Sequence, residues 1–275
     1  METMGGVIAA LATDVGRVRA HNEDAGLITS DLVAVADGMG GHAAGEVASS
    51  LAVEALREVG ESAASGEAGG LRPKDVLDAV QAANRAILQS VERNPEQTGM
   101  ATTLAGLARV TVGGSPHWAV FNIGDSRVYR CLDGRLSQVT VDHSEVWELV
   151  ERGLITPEQA QRHPGRNVVT RSLGRDPMGV VDTWVFPPYP GEVFVICSDG
   201  LSNELTREEM EAVLADHPDA EAAAAELVRR GVAAGGRDNV TAIVVAVQGQ
   251  DADSDVDEDT TPRENVNGSS GESRS

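Results

Sequence analysis

The chain has 275 residues, enough for one large domain with a substantial hydrophobic core. Its formal net charge of -21 makes nucleic acids and anionic membranes poor partners, because a negative surface repels both. Aromatic residues make up 3% of the chain, so we expect a core built mainly from valine, leucine, isoleucine and alanine. Cys131 and Cys197 lie in apolar runs without a CxxC pair, which predicts buried reduced thiols rather than a zinc or redox centre.

The N-terminal segment predicts a first strand rather than a targeting signal. Glu2 is acidic, and no basic region precedes the short apolar stretch that follows it. Elsewhere no apolar run approaches the roughly 20 residues that span a bilayer. We therefore expect a cytoplasmic protein that has no membrane partner. We also expect it to act as a monomer.

Short apolar or β-branched runs, bounded by Gly, Asp or Pro, predict the strands. In chain order they are GVIAALA, LVAVAD, TTLAGLARVTV, HWAVFNI, SRVYRCL, VDTWVF, EVFVICS and NVTAIVVAV. Asp133 and Gly134 form a pair that favours a tight type I′ hairpin turn. Because the strands follow one another in runs, we predict antiparallel sheets with helices packed outside them.

Apolar residues that recur every three or four positions predict two long helices. The first stripe is Val47, Leu51, Ala55 and Val59, and the second is Val76, Val80, Ala83, Ile87 and Val91. Capping boxes predict two more helix starts, at Thr156 with Gln159 and at Thr206 with Glu209. Residues 61–70 are predicted to form a flexible loop between helices.

The predicted domain organisation is one α+β domain over residues 1–249 and a disordered acidic tail over residues 250–275. From Asp251 onward the tail has eight acidic residues, two arginines and almost no large apolar side chain. Such a segment buries too little surface to offset the entropy lost on ordering.

Aspartates beside small residues stand at the ends of several predicted strands. They are Asp37, Asp125, Asp199 and Asp238. A single Asp-Gly pair is most often only a sharp turn. Several carboxylates gathered at one end of a sandwich repel one another unless divalent cations neutralise them. Oxygen ligands with few histidines favour Mg²⁺ or Mn²⁺, so a multi-aspartate metal site is one hypothesis and a set of structural turns is the other.

Six motifs in order resemble those of the metal-dependent serine/threonine protein phosphatases of type 2C, in their bacterial form. They are residues 14–24 (DVGRVRAHNED), ADGMGGHAAGE, GMATTL, NIGDSR, CSDGL and GRDNVT. The resemblance extends over residues 12–247 and implies a four-layer αββα sandwich, with two antiparallel β-sheets flanked by helices. It also implies hydrolysis of phosphoserine and phosphothreonine on proteins, including serine/threonine kinases and their substrates.

The resemblance assigns metal-binding roles position by position. Asp37 is expected to bridge two ions, Mn²⁺ or Mg²⁺, and Gly38 to offer its carbonyl. Asp199 and Asp238 are expected to complete the shell of the first ion. Asp125, with Asp199, is expected to hold a third, weaker ion. The hydroxide that attacks phosphorus is expected to lie between the paired ions.

Other positions are expected to act around the ions. By the same resemblance Glu23 and Asp24 act through water, and Asn239 orients its neighbours. Arg19 is expected to grip the phosphate, since its planar fork binds two oxygens together. Arg17 is the competing candidate, because on a strand it would share a face with Arg19.

The general acid differs from that of many eukaryotic members. Those proteins carry a histidine where this chain has Met39, so the proton donor to the leaving group is open. His42 is given a structural role near the site, and a water could donate the proton instead.

Residues 142–175 match the family's mobile flap beside the active site. This flap holds Arg162, Arg166, Arg171 and Arg175 in an otherwise acidic molecule. We expect these arginines to steer acidic phosphopeptides toward the cleft. The alternative is a helix and loop with solvated charges.

Two other functions remain as alternatives. One is an inactive relative that binds phosphoproteins, although such proteins usually lose a metal-binding aspartate. The other is a two-metal hydrolase of nucleic acids or nucleotides, which the negative charge and the scarcity of aromatic residues disfavour.

Overall fold

The computed structural model describes residues 2–3, 7–41, 44–64, 70–160 and 162–247. The predicted acidic tail and His42 lie outside the described residues, so both predictions stay untested. The strands are β1 (Glu2–Thr3), β2 (Val7–Asp14), β3 (Asp24–Ile28), β4 (Leu32–Met39), β5 (Ala101–Thr102), β6 (Leu104–Val112), β7 (Ser115–Ile123), β8 (Arg127–Leu132), β9 (Arg135–Gln138), β10 (Asp182–Phe186), β11 (Val193–Cys197) and β12 (Val240–Val247).

The strands form two antiparallel sheets. The first sheet has the order β1-β2-β12-β11-β8-β9, and the second has the order β10-β7-β6-β4-β3 with β5 paired to the end of β4. The helices are α1 (Ala44–Ala64), α2 (Pro73–Arg93), α3 (Glu145–Glu151), α4 (Pro157–Ala160), α5 (Asp199–Ser202), α6 (Arg207–Asp216) and α7 (Ala220–Ala234), with a short 3-10 helix at Pro95–Gln97.

Three apolar layers hold the molecule together. Helices α1 and α2 pack on the outer face of the second sheet, and α6 and α7 pack on the outer face of the first. The middle layer lies between the sheets and is mostly valine, alanine, isoleucine and leucine, with Trp118 and Phe194 in edge contact at 5.6 Å. This arrangement confirms the predicted αββα sandwich and the predicted aliphatic core.

Helix α1 confirms the helix that the apolar period predicts, and it packs an alanine-rich face against the sheet. The stripe from Val47 to Val59 is only partly buried, whereas Ala48, Ala52 and Leu56, one position further on, are fully buried. Small side chains on this face let the helix lie close to β4. The helix also continues to Ala64, so the predicted loop starts four residues too early.

Local sequence signals for turns and caps are confirmed. Asp133 (φ 50°) and Gly134 (φ 75°) both adopt the positive φ that a type I′ turn requires. Thr206 accepts from the Glu209 amide while the Glu209 carboxylate accepts from the Thr206 amide, at 3.2 and 2.7 Å. Within the described ranges no helix is long and apolar enough to cross a membrane.

Candidate active site

Carboxylates from both sheets meet at one end of the sandwich. Asp37 lies near the end of β4 and is paired in register with Asp24, the first residue of β3. Asp199 begins α5 two residues after the end of β11, and Asp238 lies two residues before β12. The charges of Asp24, Asp199, Asp125 and Asp238 all act on Asp37, so the predicted set converges on one region.

Gly38 and Gly200, which follow Asp37 and Asp199, do not form turns. Strand β4 continues through Asp37 and Gly38, and α5 begins at Asp199. A Cβ on Gly38 would lie 2.1 Å from the Gly45 carbonyl oxygen, and a Cβ on Gly200 would lie 1.9 Å from that of Asn239. Glycine is therefore required at both positions because other backbone passes too close for a side chain.

Burial and mutual repulsion raise the pKa values of the clustered carboxyls. Burial is the largest cause for Asp37, whose pKa lies well above its ordinary value. Burial, opposed by hydroxyl hydrogen bonds, raises the pKa of Asp24 to about 7. Burial and the charge of Asp199 raise the pKa of Asp125 to about 8. This concentration of negative charge in a low-dielectric region favours cation binding.

The donor set fits hard divalent cations. Two buried oxygens, Glu23 Oε1 and Asp24 Oδ1, have no hydrogen-bond partner within the described residues, and such atoms need a cation or a water. Among those residues no three His, Cys, Asp or Glu side chains form a compact ready-made cage. Carboxylate and carbonyl oxygens are nevertheless the kind of donor that Mg²⁺ and Mn²⁺ prefer.

Asn239 and Ser198 fix the backbone and side chains around the carboxylates. Asn239 Oδ1 accepts from the Glu23 amide at 2.8 Å, and its Nδ2 donates to the carbonyls of Val15 and His21. This agrees with the orienting role expected of Asn239. Ser198 donates its hydroxyl hydrogen to Asp24 Oδ2 at 2.7 Å. Sequence reasoning missed Ser198, although it immediately precedes Asp199 in the CSDGL motif.

Arg19 lies at the rim of this cluster. Its Nη2 is 2.7 Å from Asp238 Oδ2, and that hydrogen bond, with the charges of Glu23 and Asp37, raises its pKa. The interpretation that Arg17 and Arg19 would share a strand face is wrong, because β2 ends at Asp14 and a turn follows.

His143 joins the flap to the loop that carries Asp125. The Gly124 amide donates to His143 Nδ1 at 3.1 Å, so Nδ1 is the acceptor and the ring proton sits on Nε2, 3.2 Å from Asp182 Oδ2. Burial lowers the pKa of His143, which agrees with a neutral ring. The sequence analysis did not single out His143.

The flap arginines divide into two kinds. Arg171 is 3.3 Å from Asp182 Oδ1, and Arg175 contacts Ser172. Arg162 and Arg166 are exposed and have no ion pair within the described residues. Arg175 is exposed as well, but Arg162 and Arg166 are the two that have neither a hydrogen bond nor an ion pair from their side chains among the described residues.

The model of the family described as Protein phosphatase 2C matches residues 17–230. The chain belongs to the protein phosphatase 2C family. The serine/threonine protein phosphatase PstP of Mycobacterium tuberculosis is 39% identical over 238 residues, which are 86% of this chain and 44% of PstP. The chain thus spans less than half of that relative. The serine/threonine phosphatase stp of Listeria monocytogenes is 35% identical over 247 residues, covering 86% of this chain and 94% of stp.

Solved structures of protein phosphatase 2C enzymes share the fold. The crystal structure of M. tuberculosis PstP has a TM-score of 0.80 and 38% identity, and covers 88% of this chain and 99% of that one. A PstP catalytic domain in complex with two manganese ions has a TM-score of 0.78 and 37% identity, with 88% and 98% covered. The predicted family and fold are therefore confirmed, and a relative of this architecture holds two Mn²⁺ ions.

Proposed function

We propose that the chain is a metal-dependent protein phosphatase that hydrolyses phosphoserine and phosphothreonine on proteins. Its substrates are phosphorylated serine/threonine kinases and their targets, and it acts as a monomer in the cytoplasm. The observation that carries the proposal is the convergence of Asp37, Asp199 and Asp238 from two sheets on one charged region. Family membership supports the same reaction class.

The residues that would hold the metal ions follow from their placement. Asp37, the Gly38 carbonyl, Asp199 and Asp238 would hold two ions, and Asp125 with Asp199 would hold a third. Bound divalent ions of this kind lower the pKa of water and offset charge on phosphoryl oxygens. Glu23 and Asp24, each with a buried unpartnered oxygen, would hold waters in the cleft.

Arg19 is the residue that would orient the phosphate. Its guanidinium is about half exposed and lies at the edge of the carboxylate cluster, where it can reach both Asp238 and a ligand from solvent. A planar guanidinium group can donate to two phosphoryl oxygens at once and so fixes the orientation of the phosphoryl group. Met39 has no proton to give, so a water in the cleft would protonate the serine or threonine leaving group.

An inactive phosphoprotein-binding relative is the second candidate, and the complete carboxylate set disfavours it. A nucleotide or nucleic-acid hydrolase is disfavoured by the net charge of -21.

One assay separates these functions. The parent chain and Asp199→Asn are tested with Mn²⁺ and with EDTA on a phosphothreonine peptide and on a nucleotide. We expect Mn²⁺-dependent release of phosphate from the peptide only, and a loss of at least about 100-fold in kcat for Asp199→Asn without a fall in Tm. Peptide binding without turnover would support the inactive relative, and nucleotide turnover would support the third function.

A further inference from the structure

The GMATTL motif places two buried threonines beside the candidate bridging ligand. Thr102 ends β5 and Thr103 links it to β6, and both are almost completely buried. The registered pairs Gly38–Thr102 and Val35–Ala105 place Thr103 directly opposite Asp37. The functions proposed above give neither threonine a role.

The strand pairing at Asp37 is irregular. Opposed residues of an antiparallel pair can exchange two N–H···O=C bonds. The Thr103 amide does donate to the Asp37 carbonyl at 2.9 Å. The Asp37 amide, however, donates to the Thr103 hydroxyl at 3.0 Å and not to the Thr103 carbonyl. That carbonyl instead lies 2.9 Å from the Thr102 hydroxyl. A side-chain oxygen thus replaces the backbone acceptor at this position.

The same hydroxyl contacts the loop that carries Asp125. Thr103 Oγ1 lies 2.7 Å from the hydroxyl of Ser126, a fully buried residue. Gly124, with φ +115°, packs so closely that a Cβ on it would lie 2.6 Å from Thr103 Cβ. One oxygen atom therefore connects the backbone of Asp37 on the second sheet to the residue after Asp125.

Thr103 is itself held in place by its neighbours. The Thr102 hydroxyl lies 2.9 Å from both the Asp37 and the Thr103 carbonyl oxygens and shares its single hydrogen between them. The Leu173 amide at the end of the flap donates to the Thr102 carbonyl, also at 2.9 Å. A group fixed from several sides can set the position of others.

We propose that Thr103 is a positioning residue whose hydroxyl holds Asp37 and the Asp125 loop at a fixed separation through Ser126. It would thereby set the spacing between the carboxylate expected to bridge two ions and the one expected to hold a third. The inference rests on the proposed function, since it concerns the geometry of that metal site. Thr103→Val keeps the shape and removes the hydroxyl, so the Asp37 amide loses its acceptor or must shift to find another.

The test measures Mn²⁺ binding to the full chain by calorimetry and the Tm of the metal-free protein. We expect Thr103→Val to weaken Mn²⁺ binding by about 10-fold or more, the usual effect of removing a partner of a metal ligand. Thr103→Ser, which restores the hydroxyl, should bind within about threefold of the parent.

Thr29→Val is the matched control. Thr29 is also buried and its hydroxyl also bonds backbone, donating to the Leu32 carbonyl at 3.0 Å and accepting from the Leu32 amide at 3.1 Å, at the opposite end of β4. We expect it to lower Tm and leave Mn²⁺ affinity unchanged. Equal weakening by Thr29→Val and Thr103→Val, or parent-like binding by Thr103→Val, overturns the inference.

Ser126→Ala serves if Thr103→Val does not fold. It removes only the second hydroxyl of the bridge, and we expect weaker Mn²⁺ binding with a Tm close to that of the parent. Unchanged binding by Ser126→Ala overturns the inference. A parent chain that binds no Mn²⁺ overturns the proposed function itself, so the two failures are distinguishable.

Discussion

Arg19 and Arg17 are two residues apart, yet their surroundings differ. The Arg19 guanidinium lies 2.7 Å from Asp238, beside the carboxylate cluster. Arg17 is exposed, and its backbone amide donates to the Gly236 carbonyl at 2.7 Å. Position relative to the carboxylates, rather than spacing in the sequence, therefore distinguishes the two arginines.

Replacing Arg19 with alanine should lower kcat/KM for a phosphothreonine peptide by about 100-fold, the usual effect of removing one charge-stabilising group. Arg19→Lys should recover only part of this loss, because an ammonium lacks the planar fork. Arg17→Ala is the matched control and should stay within about threefold of the parent. Steady-state kinetics at saturating Mn²⁺ measures these kcat/KM values. Equal losses in the two alanine variants would contradict the phosphate-binding role of Arg19.

At the scale of elements, the flap (residues 142–175) has an anchored beginning and an exposed, charged middle. The beginning of the flap is anchored by His143, whose ring hydrogen-bonds to the Gly124 amide in the Asp125 loop and to Asp182. Beyond α4 the flap presents Arg162 and Arg166 to solvent. Two exposed cations on a strongly acidic molecule can attract an acidic peptide without touching the reacting phosphate.

The double variant Arg162→Ala/Arg166→Ala should raise KM for an acidic phosphopeptide by about 3–10-fold, since each exposed charge contributes a modest attraction. It should leave KM for a small aryl phosphate unchanged. Arg93→Ala/Arg135→Ala removes the same charge from exposed positions outside the flap and should change neither value. Equal effects on the two substrates, or an equal effect of the control, would discard the steering role.

At the scale of the whole molecule, the buried carboxyls link stability to pH. Burial raises the pKa of Asp24 to about 7 and, with the charge of Asp199, raises that of Asp125 to about 8. An unfolded aspartate titrates near pH 4. Between these values the folded state binds protons that the unfolded state does not, so stability falls as the pH rises through this window. His143, whose pKa is lowered, acts in the opposite sense only below about pH 6.5.

In EDTA the Tm should therefore fall by about 3–6 °C between pH 6.5 and pH 8.5. Asp125→Asn removes one of the raised carboxyls and should make this decline shallower. Saturating Mn²⁺ should do the same, because a bound cation stabilises the ionised carboxylates. Differential scanning fluorimetry across the pH series measures all three, and an Asp125→Asn slope identical to the parent slope would refute the linkage.

The motifs predicted the layered fold and the acidic cluster because each depends on short runs of sequence. The supporting residues were harder to predict, because their roles depend on which strands become neighbours. Thr103 gains its partner through the strand register that places it opposite Asp37, and Ser198 reaches Asp24 only because the two sheets pack against each other. The fully buried side of α1 was not predicted from the sequence, because alanines form most of it and their hydrophobic signal is weak.

Asp24 and Asp37 belong to one sheet, whereas Asp199 and Asp238 flank strands of the other. The carboxylate cluster thus lies across the interface between two separately hydrogen-bonded sheets, and sliding one sheet past the other would alter the distances within the cluster. Side chains packed between the two sheets, such as Val35 and Ile243, hold the sheets in alignment. A displacement of about 1 Å can cost roughly 100-fold in rate. Removing one methyl group from this layer, far from the phosphate, should therefore lower the reaction rate of a protein that still folds.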